Sequence, residues 1–358
     1  MNSTARRPIA FAAVCLLNLI VLLNPSTAFP DSAEDHKQRA EALFDKRDFD
    51  GAEREYREAI RKKSKDVDLR VAPAETVTMK GDWDGAVAES REAIRLKPSD
   101  ADAHAILGAS LAEKGDMASA VAALREAVRL APDFAGAHYE LGRALDKQGD
   151  LAGAALAYRE AVRLSPNDPD LCGKLGQLHL MKRDADGAIP EFRELVRLRP
   201  ENFQAQYALG GALELKQDWA AAAKAFGEAA RLKPDFASAH QHYGFTLGRS
   251  GDLDGAVKAY REANRLEPNK AINHSGFGAV LENKNDLDGA IAAYREAIQL
   301  EPRNALDRVN LAMALLKKKD FAGAIAEAQE AVRIDPDYQL GQEVLNQALD
   351  EQEAANVK

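Results

Sequence analysis

Eight prolines recur along the chain at a constant spacing of 34 residues, and this spacing limits the possible folds more than any other feature. They are Pro98, Pro132, Pro166, Pro200, Pro234, Pro268, Pro302 and Pro336. A fixed period of this length indicates a solenoid, in which each unit buries its apolar side chains only against its neighbours. One further interval before Pro98 reaches Ser64, so the sequence predicts nine repeats from Ala33 to Tyr338.

An aspartate and an alanine occupy fixed places inside every repeat. The aspartate is the sixteenth residue of all nine, from Asp48 to Asp320, and the alanine follows four residues later, from Ala52 to Ala324. An aspartate just before an apolar-periodic run is typical of a helix N-cap, because its carboxylate accepts the free backbone N–H groups of the first turn. We therefore expect a second helix, helix B, to begin after each aspartate.

The apolar residues of each repeat follow the period of an α-helix. In the repeat at 135–168, His138, Leu141 and Leu145 share one face of a first helix, helix A. Aromatic residues make up only 6% of the chain, whereas Ala, Leu, Arg and Glu are abundant, which favours helix over sheet. The sequence therefore predicts an all-α fold built from helical hairpins.

This pattern resembles the tetratricopeptide repeat (TPR), whose consensus has Leu-Gly at positions 7 and 8, Gly-Asp at 15 and 16, and Ala at 20. Leu-Gly stands at 107–108, 141–142 and 209–210, and the match extends over 33–338. The resemblance implies a right-handed superhelical α-solenoid of nine TPR helix pairs. Pro73 departs from the pattern inside a predicted helix A, so we expect that helix to be kinked, to be short or to start at Pro73.

The segment after the last repeat is predicted to be a capping helix and tail over 339–358. Leu340, Val344 and Leu349 lie on one face of this helix and charged residues lie opposite. Such a terminal helix solvates the end of a repeat array.

The first residues of the chain have the pattern of an export signal. Arg6 and Arg7 precede the apolar stretch Ile9 to Leu23, and small residues follow as far as Ala28. We predict a signal peptide over 1–28 and an exported protein, periplasmic or secreted. A retained membrane anchor is the alternative, since no charged residue lies between Pro8 and Pro30. Membrane contact is expected only through this segment, if it is not cleaved.

Composition and spacing argue against several classes of function. The net charge is -9 and the basic residues are spread along the chain, which disfavours nucleic-acid binding. No spacing typical of a catalytic or cofactor site is present, and little chain lies outside the repeats, so we predict a protein that is not an enzyme and holds no cofactor.

Histidines recur at the fourth position of five repeats: His36, His104, His138, His240 and His274. Equivalent atoms of successive repeats lie roughly 10 Å apart, too far to share one metal ion. We therefore predict no metal site and interpret these histidines as half-buried packing residues. Cys172 occupies the same position and is expected to be a buried, inert side chain.

In the family that the sequence resembles, the A helices line a concave groove that holds an extended peptide or a partner helix. Its contacts come chiefly from positions 2, 5, 6, 9, 12 and 13. Transferred to this sequence, those positions give candidate binding residues, which are Tyr139, Arg143, Lys147, Lys174, Gln177, Leu180, Met181, Tyr207, Leu215, Gln241, His242, Phe245 and Arg249. Aromatic and Met side chains among polar neighbours are typical of protein-binding surfaces.

The sequence thus favours an exported TPR scaffold or adaptor that binds a protein or peptide in its groove, with assistance to the assembly of an envelope complex as a further hypothesis. One alternative is a structural array that associates with itself, which the polar C-terminal cap argues against. Another is a non-catalytic subunit of an enzyme complex, for example a carbohydrate-modifying one. The sequence contains no residue set for sugar binding that would support it.

Overall fold

A computed structural model of the chain describes residues 31–66 and 68–356, without the side chain of Asp68. The signal peptide or anchor predicted over 1–28 lies outside these residues. Within the described ranges, no helix combines the length and apolar character that a membrane span requires.

All regular secondary structure in the described residues is helical, which confirms the all-α prediction. The chain divides into two compact units, an N-terminal unit up to Leu178 and a C-terminal unit from His179 onward. The first helices are α1 (Ala33–Asp45), α2 (Phe49–Lys62), α3 (Asp68–Met79), α4 (Trp83–Leu96), α5 (Ala101–Glu113), α6 (Met117–Leu130), α7 (Ala135–Gln148), α8 (Leu151–Leu164) and α9 (Pro169–Met181). They are followed by α10 (Ala185–Leu198), α11 (Phe203–Leu215), α12 (Trp219–Leu232), α13 (Ala237–Ser250), α14 (Leu253–Leu266), α15 (Ala271–Asn283), α16 (Leu287–Leu300), α17 (Ala305–Lys317), α18 (Phe321–Ile334) and α19 (Gln339–Asn356).

Within each unit the helices pair in chain order, an odd-numbered helix A with the even-numbered helix B that follows. In the N-terminal unit α5 packs on α6, and in the C-terminal unit α15 packs on α16. The last helix, α19, packs on α18 and α17. Each unit is therefore a series of helix pairs, and the C-terminal unit has one additional helix after its last pair.

Each B helix begins at the aspartate that the sequence identified. In all nine repeats the aspartate side chain accepts a hydrogen bond from the backbone N–H three residues later. In one of them, Gly153 N donates to Asp150 Oδ1 over 2.9 Å. The predicted N-caps are confirmed, and they fix where every second helix starts.

Small residues let the two helices of a repeat approach closely. The alanine four residues after each capping aspartate is fully buried in all nine repeats, from Ala52 in the first to Ala324 in the last. A Cβ atom added at Gly142 would lie only 2.7 Å from Cδ1 of Tyr158 in helix B. The apolar core is therefore built from close backbone contact as much as from large side chains.

Helix α3 runs through Pro73 and begins at Asp68, so the expectation of a start at Pro73 is wrong. A proline inside a helix costs about 3 kcal/mol, since it removes one backbone hydrogen bond and crowds the preceding turn. Leu69, Ala74 and Val77 are all buried, and a fully buried aliphatic side chain contributes roughly 1.5–3 kcal/mol. Burial of this face offsets the cost of Pro73 and keeps the helix continuous.

Candidate functional site

In the N-terminal unit, the predicted basic groove residues of α7 are already paired with carboxylates. Arg143 Nη1 lies 3.1 Å from Glu140 Oε2, and Arg143 also bonds Glu113. Lys147 Nζ lies 3.3 Å from Glu113 Oε1. Burial raises the pKa of the Glu140 carboxyl. The positive charge of this surface is therefore largely neutralised within the chain.

The other predicted residues of this unit differ in exposure. Tyr139 is half-buried with its ring 5.8 Å from that of Tyr158, and burial raises the pKa of its hydroxyl. Lys174 and Gln177 on α9 are exposed. Tyr139 therefore stabilises the helix pair, while Lys174 and Gln177 reach solvent.

In the C-terminal unit, Tyr207 belongs to an aromatic cluster that supports the wall of the A helices. Its ring lies 5.3 Å from Phe226, 5.0 Å from Phe236 and 5.6 Å from the imidazole of His242. The imidazole of His242 is in turn stacked on Phe226 at 5.0 Å. Burial raises the pKa of the Tyr207 hydroxyl. Tyr207 therefore positions His242 and is largely occupied by contacts within the chain.

A cavity of about 530 Å³ opens between the A helices of this unit, and we call it the C-unit cavity. Four of the predicted residues, all on α13, line it: Gln241, His242, Phe245 and Arg249. The remaining lining comes from Glu214, Gly248, Tyr260, Ile272, Ser275, Gly276, Ala279, Val280, Asn283 and Asn310. The predicted residues Leu180, Met181 and Leu215 lie outside this lining, with Met181 exposed and the two leucines partly buried. A volume of this size matches that of ordinary ligand and side-chain pockets.

The cavity exists because small residues of α13 and α15 face one another. Gly248, Gly276 and Ala279 stand where longer side chains would fill the space. At Gly276, an added Cβ atom would lie 2.5 Å from the hydroxyl oxygen of Tyr260, which forms part of the cavity lining. Only glycine at this position lets the Tyr260 ring extend beneath α15.

Exposed apolar side chains surround this cavity. Phe245 is 38% exposed and Ile272 is 56% exposed. Ile272 holds position 2 of its repeat, and the same position of the next two A-type helices carries Leu306 and Leu340, which are also exposed. Earlier A helices have Gln204 and Ser238 at that position. The C-terminal unit therefore presents an aliphatic row that continues from the cavity, and exposed apolar surface of this kind marks interaction sites.

The charged groups of the cavity are unequally compensated. His242 Nδ1 lies 2.9 Å from Glu214 Oε2, so these two groups form a pair. The guanidinium of Arg249 lies over the ring of Trp219 at 4.7 Å, and the Phe245 ring contacts the same indole edge-to-face at 5.8 Å. Stacking on Trp219 holds Arg249 and Phe245 in fixed positions at one side of the opening.

Sequence reasoning located the α13 side of the cavity and missed the α15 side. Ile272, Ser275, Gly276 and Ala279 hold positions 2, 5, 6 and 9 of their repeat, and the positional rule used for α13 identifies them. The predicted set ended with the repeat of α13 and held only large, polar or charged side chains, whereas Ser275, Gly276 and Ala279 are small. A cavity needs small side chains on at least one of its walls, because large side chains would fill it.

Four of the five recurrent histidines make a hydrogen bond to the preceding repeat, whereas His36 is paired with Glu55 of its own repeat. In His104, His138 and His240, Nε2 lies 3.0 Å from the carbonyl oxygen of the proline six residues earlier. A carbonyl can only accept, so Nε2 carries the proton. These histidines are half-buried or buried, as predicted, and within the described residues no group of His, Cys, Asp or Glu has the arrangement of a metal site. Cys172 is buried, as expected.

The fold and the cavity together define a helical-repeat protein of the scaffold class. The tetratricopeptide repeat model matches residues 37–101, 79–133, 110–169, 174–237, 244–305 and 276–339. The chain belongs to the tetratricopeptide repeat family. Arrays of this family typically bind protein or peptide partners and are typically non-catalytic.

Several solved structures are similar, whereas no curated protein matches the chain. MamA is 25% identical, with 47% of this chain and 92% of that chain covered and a TM-score of 0.45. YrrB, described as a TPR protein with an unusual peptide-binding site, is 20% identical, with coverages of 51% and 95% and a TM-score of 0.48. Tom70 of yeast is 17% identical, with coverages of 90% and 88% and a TM-score of 0.40. Family membership rests on the repeat matches.

Proposed function

We propose that this protein is a scaffold or adaptor that binds a protein or peptide partner in the C-unit cavity. The observation that carries the proposal is a cavity of about 530 Å³ with Phe245 and Ile272 exposed at its opening. Exposed aromatic and aliphatic side chains beside a preformed cavity lose unfavourable contact with water when a partner covers them. Neither side chain belongs to a buried core cluster of the described residues.

Affinity capture with the full chain tests this proposal. We expect Phe245→Ser combined with Ile272→Ser to weaken retention of the partner at least about tenfold, because each anchor contributes on the order of 1 kcal/mol or more. The captured proteins are compared by mass spectrometry between the parent chain and the variant. Circular dichroism melts establish that both remain folded.

Leu156→Ser is the matched control, because Leu156 is 64% exposed on helix B of its repeat and lies outside the cavity. Capture should be unaffected by this control. If the double variant and the Leu156 variant retain the same proteins in the same amounts, the cavity is not the binding site.

We further propose that the protein acts after export, in the envelope or outside the cell. The basic start, the apolar stretch and the small residues up to Ala28 support this, and a role in assembling an envelope complex agrees with a scaffold function. N-terminal sequencing of protein recovered from cell fractions should find a chain that begins at Phe29. An intact Met1 in the membrane fraction supports the retained anchor instead.

A further inference from the structure

We propose that the C-unit cavity recognises an extended peptide segment that carries a large apolar side chain and, two residues away, a carboxylate. This inference rests on the proposed function and specifies the chemistry of its partner. It is argued from the apolar lining, the uncompensated charge, the spacing of two side chains on α13 and the amide groups around the opening.

The interior of the cavity suits a large apolar side chain. Gly248, Gly276 and Ala279 supply the space, and Val280 and the Tyr260 ring supply apolar surface. A volume of about 530 Å³ exceeds what one methyl or hydroxyl group fills. An aromatic or long aliphatic side chain of a partner therefore gains the most from entering.

The charge of the lining favours an acidic partner. Three lining residues carry or can carry charge: Glu214, His242 and Arg249. Glu214 and His242 are hydrogen-bonded to each other. Arg249 stacks on Trp219 and forms no ion pair with any carboxylate of the described residues. Its positive charge is therefore available to a carboxylate, for which a guanidinium is the preferred partner.

The spacing on α13 sets the distance between the two features of the peptide. Phe245 and Arg249 are four residues apart on one helix, which places their Cβ atoms about 5–6 Å from each other. An extended chain rises about 3.3 Å per residue, and side chains two residues apart lie on the same side. A peptide whose apolar side chain packs on Phe245 therefore brings the side chain two residues away to Arg249.

Amide side chains around the cavity suit an extended backbone. Gln241, Asn283 and Asn310 line it, and their side chains make no hydrogen bond within the part of the chain that the structure describes. Each amide offers both donors and an acceptor. An extended peptide has unpaired backbone N–H and C=O groups, and these amides complement them.

The test is selection from a phage-displayed library of random linear peptides on the immobilised full chain. We expect enriched sequences to carry Phe, Leu, Ile or Trp two positions from Asp or Glu. For a synthetic peptide of the enriched sequence, replacing the acid with its amide should weaken binding about tenfold, the loss expected for one charge-assisted contact. Selection on Arg249→Glu should replace the acidic preference with Lys or Arg.

Arg193→Glu is the matched control, since it makes the same charge change at an exposed residue of α10 outside the cavity. Phage selection on the Arg193→Glu variant should enrich the same peptide sequences as selection on the parent chain. Two results would overturn this inference and leave the proposed function standing, provided that the enriched peptides still depend on Phe245 and Ile272. One is that these peptides show no preference for an acidic residue; the other is that Arg249→Glu leaves such a preference unchanged. Enriched peptides that bind equally well to the Phe245→Ser, Ile272→Ser variant, or no enrichment at all, overturn both.

Discussion

Asp307 shows how one residue can depart from the repeat and remain buried. It holds position 3 of α17, where Ala103, Ala137, Ala205 and Ala239 stand in other repeats. Only 1% of its surface is exposed; Oδ1 accepts a hydrogen bond from Ser275 Oγ, and Oδ2 has no partner within the described residues. Burial raises the pKa of this carboxyl. A charged group without full compensation therefore lies beside the cavity residue Ser275.

Replacement of Asp307 by Asn should change how stability depends on pH. Between the unfolded value, about 3.9, and the raised pKa of the native state, the native protein holds a proton that the unfolded chain has released. The free energy of unfolding therefore falls as pH rises through that window. Asp307→Asn should lack this fall and be more stable at neutral pH, by on the order of 1 kcal/mol.

Urea unfolding followed by circular dichroism from about pH 4 to about pH 8 measures this difference. The exposed Asp235→Asn serves as control and should leave the pH dependence of the parent chain intact. Parallel curves for the parent chain and Asp307→Asn would show that the carboxyl is ionised at no cost in the native state.

At the scale of the helix, the turn between helix A and helix B has the same backbone conformation in every repeat but is built from different residues. The residue before each capping aspartate has a positive φ in all nine repeats, although only Gly81, Gly115, Gly149 and Gly251 are glycines there. The other five repeats place Arg, Gln, Asn or Lys in this left-handed conformation, which is unfavourable for a residue with a Cβ atom. The caps and the packing of the helix pair therefore impose the turn on them.

Two aspartates at the start of α14 allow the contribution of one cap to stability to be measured. Asp252 is the N-cap of this helix, and Asp254 lies in its first turn. Asp252 accepts from Gly255 N over 2.9 Å, whereas Asp254 pairs on the surface with Lys284 of the next repeat. We expect Asp252→Ala to lower stability by about 1 kcal/mol through loss of the cap. Asp254→Ala should cost at most about 0.5 kcal/mol, because exposed ion pairs contribute little. Hydrogen exchange of α14 measures both, and equal losses would mean that the cap is not what fixes the helix start.

The helices were predictable because the residues that specify them lie within one repeat. The binding site was less predictable because its contacts join different helices. The capping aspartates and the buried alanines recur within one repeat, so periodicity alone located every B helix. Pairing of Arg143 with Glu113 joins residues 30 apart, and enclosure of Tyr207 by Phe226 and Phe236 depends on neighbouring helices. Single positions in a consensus carry no information about such neighbours.

At the scale of the whole molecule, stability should be distributed along the array. In repeat proteins each helix pair contacts only its neighbours, so a local defect weakens nearby pairs most. Helix α19 packs on the last helix pair through Val344, which is 4% exposed and lies in one core cluster with Val309 and Leu311 of α17. Gln342, Glu343 and Asp350 are exposed on the same helix. Leu340 and Leu349 are also exposed, so the outer surface of α19 is mixed and the predicted polar cap stays a prediction.

Two substitutions on α19 test this description. Val344→Asp buries a charge and should undock the helix, because an uncompensated buried charge costs several kcal/mol. Leu349→Asp alters a residue that is 45% exposed and should change stability by no more than about 0.5 kcal/mol. Hydrogen exchange should lose protection in α17 and α18 for Val344→Asp, with a decreasing effect toward α11.

Exposure of Val309 and Leu311 should also make the Val344 variant associate in a concentration-dependent way, as light scattering detects, whereas Leu349→Asp should match the parent chain. Uniform loss of protection from α11 to α18 would contradict nearest-neighbour stability and indicate that the C-terminal unit unfolds as one cooperative body. In that case a partner bound at the C-unit cavity would stabilise α17 and α18 as strongly as α13 and α15. Under nearest-neighbour coupling, the stabilisation is greatest at α13 and α15, which supply most of the cavity lining, and it decreases toward α18.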